Sequence, residues 1–255
     1  MVAGSERLAC FELWGGNCAV DHPVELPGLA GWVYSSPLDP AAGGGDVHYI
    51  SVCSRGMISR IVVADVAGHG SDASLVAQNL RSVLQRHTNN WDQSALMQEL
   101  NRAFLPSAVK SQYATAAVLS FFVETAELVF TNAGHPPALW YRAGEDCWEL
   151  LEDNTAFAVE IEGLPLGLIP GTSYRQTGVR LGAGDALVLY TDGVTEATNS
   201  SGAELGRAGL LALARRLKIG SPVEVARELI AGVRAFRGNV TRRDDETLIV
   251  LRQVG

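Results

Sequence analysis

The chain has 255 residues, 47% of them apolar and 19% charged, and a formal net charge of −8. That length holds one sizeable domain or two small ones, and the acidic balance argues against general binding to nucleic acid or to an anionic membrane surface. No apolar run approaches the roughly 18 residues of a membrane span. The start, Met1 to Cys10 and then Phe11-Glu12, lacks the apolar core of a signal peptide, so a cytoplasmic protein is expected. The cysteines at 10, 18, 53 and 147 form no CxxC pair; buried free thiols are expected, not a zinc site or a disulfide framework.

Residues 1–30 show little periodicity, and Trp14-Gly15-Gly16-Asn17 and Pro23 to Pro27 read as irregular structure, packed on the rest or facing a partner. Trp32 to Ser35 is strand-like and stops at Pro37, before a Pro/Ala/Gly loop over 38–45. Asp46 to Val52 and Ile58 to Ala64 predict a hairpin that places Asp46 and Asp65 on neighbouring strands. The second of these runs is continuously apolar from Ile61 to Ala64, as a strand covered on both faces is, and it ends at Asp65 before Gly68-His69-Gly70.

Leu75, Val76, Leu80, Val83 and Leu84 predict an amphipathic helix over 71–87, and Leu96, Leu100 and Phe104 a second over 91–104 with Asp92 as its cap. Tyr113 to Val123 and Glu127 to Asn132 read as strands around a turn, and Ala138 to Arg142 and Cys147 to Leu151 as a hairpin. Prolines and glycines preclude long elements over 162–171. Tyr174 to Leu181 alternates like a half-exposed strand, Gly182 to Asp185 is a turn, and Ala186 to Tyr190 is a buried strand that ends at Thr191-Asp192-Gly193. Helices follow over 206–217 and 222–236, the latter with Ser221 as cap and Pro222 in its first turn. The last strand, Thr247 to Arg252, follows Asp244-Asp245. Blocks of strands followed by blocks of helices favour antiparallel sheets covered by helices, in one compact α+β domain.

Asp46, Asp65, Asp192 and Asp244 therefore sit at strand ends. Each alone reads more readily as a cap, turn or loop residue than as a metal ligand, since Asp favours those places. Together they can converge on one point, where their mutual repulsion demands cations. Hard carboxylate oxygens suit Mg²⁺ or Mn²⁺, and two such ions can activate water against a phosphoryl group.

These residues carry a resemblance. Gly44-Gly45-Asp46, Asp65-Val66-Ala67-Gly68-His69-Gly70, Asn132 to Pro137, Leu164-Pro165-Leu166-Gly167, Leu189 to Ala197 and Asp244-Asp245-Glu246-Thr247-Leu248 stand in the order of six motifs, over about residues 31 to 252. The chain thus resembles the metal-dependent serine/threonine protein phosphatases (PPM type), in their bacterial SpoIIE-like branch. The resemblance implies a four-layer α-β-β-α sandwich of two antiparallel sheets flanked by helices. It implies a catalytic domain over 31–255 with residues 1–30 as an extension, and a site for two Mg²⁺ or Mn²⁺ ions. Asp46 and Asp65 would hold and bridge the ions, with the Val66 carbonyl, Asp192 and Asp244 completing the set. His69 is a candidate general acid, or a turn residue capping backbone groups. His135 is expected to order a loop, His48 to be a strand residue, and Asp245 to stand behind the ligands. The implied reaction is hydrolysis of phosphoserine or phosphothreonine by a metal-activated water without a phosphoenzyme. The implied substrate is a phosphorylated anti-sigma-factor antagonist or similar signalling protein, with regulation by a partner protein or a homodimer.

One departure matters: the branch carries a second acid three residues after its first, and Tyr49 stands there. A catalytically weak, partner-binding member is the alternative, and a two-metal hydrolase of small phosphoesters or nucleotides a more distant one, without a P-loop pattern.

Overall fold

The computed structural model describes residues 11–15, 18–41, 43–53, 56–67, 80, 82–86, 92–105, 113–152 and 163–255. Two six-stranded antiparallel sheets carry the fold. One has the order β1 (Phe11–Gly15), β4 (Asp46–Cys53), β5 (Ile58–Val66), β6 (Ala114–Phe122), β7 (Glu127–Ala133), β10 (Gln176–Arg180). The other has the order β2 (Val20–Leu26), β3 (Leu29–Ser36), β12 (Glu246–Gln253), β11 (Ala186–Tyr190), β8 (Leu139–Arg142), β9 (Cys147–Leu150).

Alternation along the strands divides the core into three layers. Ile50, Ile61, Val63 and Leu119 of the first sheet meet Val33, Leu187, Leu189 and Ile249 of the second between the sheets. On the outer face of the first sheet, Val47, Tyr49, Val62 and Ala64 pack under α1 (Gln93–Phe104) and under the helical residues 80 and 82–86. On the outer face of the second, Val188, Tyr190, Leu248 and Val250 pack under α3 (Gly206–Ala214) and α4 (Pro222–Arg237). This is the expected four-layer sandwich. Each fully buried aliphatic side chain in it contributes roughly 1.5–3 kcal/mol.

The helix ends follow local chemistry. The Asp92 carboxylate accepts the Ala95 N–H at 3.1 Å and starts α1, whose Leu96, Leu100 and Phe104 return every fourth residue to the buried side. Ser221 and Glu224 form a capping box at α4, with Pro222 in its first turn. α3 ends at Ala214, not at Leu217 as expected, because the chain tightens into i→i+3 bonds from Arg216 to Leu213 and from Leu217 to Ala214. Most of the helix expected over 71–87 lies outside the described residues.

Two segments expected to be irregular are strands. β1 pairs with β4, and β2 pairs with β3 as an edge of its sheet. Pro23 is tolerated in β2 because an edge strand pairs on one side only, so a missing N–H breaks no second ladder. The expected boundary after residue 30 falls inside β3. Cys18 is exposed and Cys147 half-buried, against the expectation of buried thiols. Among the described residues no helix is long and apolar enough to cross a membrane.

Candidate metal centre

Asp46 opens β4 and Asp65 stands one residue before the end of β5, and the register of this antiparallel pair sets the two opposite each other. Opposite residues point to the same face, here the one between the sheets, and like charges so placed repel. The other eight residues of β5 are buried, so Asp65 alone in that strand reaches solvent, and only in part. Asp46 is 2% exposed. From the facing sheet, β11 delivers Asp192 and the start of β12 delivers Asp244. Asp192 is not the end of the strand, as expected, but the first residue of the short helix α2 (Asp192–Thr195). Thr191 makes the change of direction with extended backbone at φ −86°, ψ 165°.

The acids act on one another. Burial and then the facing Asp65 push the Asp46 carboxyl well above the usual carboxylate range, with the Thr191 and Thr247 hydroxyls pulling the other way. Burial, then Asp192 and Asp244, raise Asp65 to about 8. Asp192 is raised by burial and by Asp244. Glu196, one helical turn after Asp192, is raised by partial burial and then by Asp192 and Asp244. Glu196 lies within the Leu189 to Ala197 motif, and its place four residues after Asp192, one turn on if a helix starts there, is the signal that can find it.

A carboxyl raised in the folded state favours that state while it is protonated, so its contribution is present below pH 4 and is lost as pH rises toward 8. The metal-free protein is therefore expected to melt at lower temperature at pH 8.5 than at pH 6. A melting temperature that is flat or rising over this window, followed by circular dichroism, contradicts the acid cluster.

A second set of groups holds the cluster in place. The Thr191 hydroxyl donates to Asp46 Oδ2 at 2.7 Å and accepts the Thr247 N–H at 3.0 Å. Asp245, expected behind the ligands, accepts the N–H groups of Leu38 (2.6 Å) and Gly45 (2.7 Å), and so fastens the loop that leads into Asp46. Gly44 fits only without a side chain, since a Cβ there would stand 2.3 Å from Asp245 Oδ2. Gly193 is tighter: its Cβ would lie 1.9 Å from the Asp245 carbonyl oxygen. Gly193→Ala is expected to cost about 2 kcal/mol, read as a lowered melting temperature, while Gly144→Ala, with open space around it, should change little. Equal melting temperatures for the two variants would contradict this packing.

Glu246, 2% exposed, pairs with Arg237 and, at 3.8 Å, with Arg242. Arg242 also donates to the Ser36 hydroxyl at 2.6 Å and to the Pro37 carbonyl. Beside Asp244 a cleft of about 110 Å³ opens, lined by Glu196, Glu204, Arg242 and Arg243 among others.

The remaining predicted residues divide. The Val66 side chain is fully buried in the layer under α1, so its main chain is what it can offer outside that layer. His69 lies outside the described residues. His48 points between the sheets against Gly15, and burial, with His22, lowers it to about 4. It is neutral and away from solvent. His135 orders its loop as expected: its N–H donates to Asn132 at 2.8 Å, and its Nδ1 shares a hydrogen bond with Thr115, the strand partner of Asp65. Tyr49 faces the layer under α1, on the opposite side of β4 from Asp46. The departure at this position therefore removes no carboxylate from the face between the sheets.

The donor set fits hard divalent ions. It is all carboxylate, charged against itself, and partly open to water. Among the described residues no three His, Cys, Asp or Glu side chains close around a single ion. Carboxylate oxygens are the ligand type of Mg²⁺ or Mn²⁺, which take one or two carboxylates and keep several waters.

The Stage II sporulation protein E (SpoIIE) family matches residues 58–254. The chain belongs to this family and is, in its fold and in the order of its acid motifs, a PP2C-type phosphatase domain. It is 28% identical over 194 residues to the phosphoserine phosphatase RsbU of Bacillus subtilis, a match spanning 76% of this chain and 55% of that one. The chain thus spans about half the length of that relative. Its fold is shared with the RsbU and RsbW domains of a Mycobacterium tuberculosis protein (TM-score 0.74, 24% identity, 95% of this chain and 64% of that one). It is shared also with the catalytic domain of the serine/threonine protein phosphatase PstP in complex with two manganese ions (TM-score 0.60, 17% identity, 89% and 99%).

Proposed function

We propose that the chain is a Mg²⁺- or Mn²⁺-dependent protein serine/threonine phosphatase. The observation that carries this reading is the set of acids Asp46 and Asp65 from one sheet and Asp192 and Asp244 from the other, with Asp46 raised by burial and Asp65, Asp65 by burial, Asp192 and Asp244, and Asp192 by burial and Asp244. The relative named as a phosphoserine phosphatase and the manganese-bound neighbour support it. Divalent ions, when bound, supply an activated water and offset the charge of a phosphoryl group. The chain's own residues hold and orient. Asp46 and Asp65 bind ions from the first sheet, with the Val66 carbonyl beside them. Asp192 and Asp244 bind from the second, and Asp245 keeps the loop before Asp46 in place. The cleft beside Asp244 gives a substrate segment room next to the acids. His69 is the candidate for delivering a proton to the departing serine oxygen.

The substrate of this reading is a phosphoserine or phosphothreonine protein, a phosphorylated anti-sigma-factor antagonist or similar signalling protein, with control by a partner protein or a second copy. The purified chain should release phosphate from a phosphoserine protein when Mn²⁺ is added, stop on adding EDTA, and leave nucleotides largely untouched. Hydrolysis that ignores EDTA, or that prefers nucleotides, overturns the reading.

A further inference from the structure

We infer that Thr191 is a positioning residue of the acid site: its hydroxyl fixes the orientation of the Asp46 carboxylate and ties it to the strand end that carries Asp192. The inference rests on the metal reading above. Thr191 occupies the position before the first residue of α2, where a threonine hydroxyl ordinarily caps the helix it precedes. It makes no such bond. It reaches instead across the sandwich to Asp46 Oδ2, at 2.7 Å and 145 residues away in sequence.

The direction of that bond is set by its surroundings. Thr191 Oγ1 accepts the N–H of Thr247 at 3.0 Å, so its single proton is left for Asp46. The Thr191 main chain is held as well, its N–H donating to the Thr247 carbonyl at 3.1 Å. Behind Thr247 stands Ser35, with the two hydroxyls 3.0 Å apart and both residues buried. A chain of hydrogen bonds thus runs from the Ser35 hydroxyl on β3 to Thr247 on β12, from the Thr247 N–H to Thr191 beyond the end of β11, and on to Asp46 on β4, and it joins the two sheets at the site. Thr191 is 0% exposed, so water does not replace its bond. Asp46 Oδ2 is committed to Thr191, and the Thr247 hydroxyl acts on the same carboxylate. Asp46 and Asp192 come from different sheets, and Thr191, adjacent to one and bonded to the other, holds their spacing.

The experiment is calorimetric titration of the metal-free protein with Mn²⁺ at one pH. Thr191→Val keeps the branched shape and removes the hydroxyl; Thr191→Ser keeps the hydroxyl and removes the methyl. Partners that orient metal ligands are worth about 10–100-fold in affinity. Thr191→Val is therefore expected to weaken Mn²⁺ binding about 10-fold or more, with Thr191→Ser staying near wild type. Should the valine variant not fold, Thr191→Cys, of similar size and a weak donor, takes its place. Wild-type affinity in the variant without a hydroxyl overturns the inference, as does equal weakening by serine and valine, which would assign the effect to packing. Wild-type protein that takes up no Mn²⁺ overturns the metal reading and this inference together, a result distinct from the other two.

Discussion

Asp65→Asn is expected to lower metal-dependent hydrolysis of a phosphoserine protein by about 10³-fold or more, and at the same time to raise the melting temperature of the metal-free protein at pH 8. The two effects have one cause. Asp65 stands one residue before the end of a strand whose other residues are all buried, faces Asp46 across the ladder, and feels Asp192 and Asp244 from the second sheet. Burial, then Asp192 and Asp244, hold its carboxyl at about 8, far above the usual carboxylate range, so its charge is costly to the fold on its own. Asparagine keeps the shape and deletes the charge, which relieves the fold. It also deletes a ligand from the set that would hold the ions, and metal-borne charge stabilisation is worth several kcal/mol in a phosphoryl transition state, each 1.36 kcal/mol being tenfold in rate. Loss of activity with gain of stability separates a functional acid from a structural one. Retained activity, or loss of activity through unfolding, contradicts the account.

Arg237→Met is expected to have the largest effect on stability. Glu246 is 2% exposed and the Arg237 side chain 11% exposed, so the pair is largely withdrawn from water. Removing one partner of a buried ion pair leaves an uncompensated charge and costs about 3–5 kcal/mol. Arg242 stays 3.8 Å from Glu246 and offsets part of this, so a loss of about 3 kcal/mol is expected. At 2–4 °C per kcal/mol for a chain of this size, the melting temperature should fall by about 6–12 °C. Arg242 also grips the end of β3, and Glu246 follows Asp244 and Asp245 directly. The loss should therefore reach the site and weaken Mn²⁺ binding. A shift below about 2 °C would show that Glu246 is satisfied without Arg237.

The sequence made the rigid parts of this site readable. The apolar run before Asp65 and the hairpin before it predict two acids on adjacent strands, and the register sets them opposite each other. Asp92 and Ser221, with acidic or amphipathic residues at the right spacing, announce helix starts that the structure contains. What stayed hidden depends on contacts between segments far apart in the chain. Thr191 reads only as a residue at the end of a buried strand, because nothing local shows that Asp46 lies within its reach. Asp245 read only as a residue behind the ligands, because its two N–H partners belong to a loop some 200 residues earlier. β1 and β2 were missed because edge strands need neither continuous apolar residues nor freedom from proline. The substitution at Tyr49 looked like a defect in the acid set until the pleat of β4 turned it to the other face.

In the proposed function, Asp46, Asp65, Asp192 and Asp244 form one centre for two divalent ions. Anomalous diffraction at the manganese edge, from crystals of the wild-type protein soaked in Mn²⁺, tests it most directly. Two peaks are expected at the end of the sandwich bounded by these four residues, with weakened occupancy in Asp65→Asn crystals. No peak at that end of the sandwich, or peaks there that Asp65→Asn leaves unchanged, would contradict it.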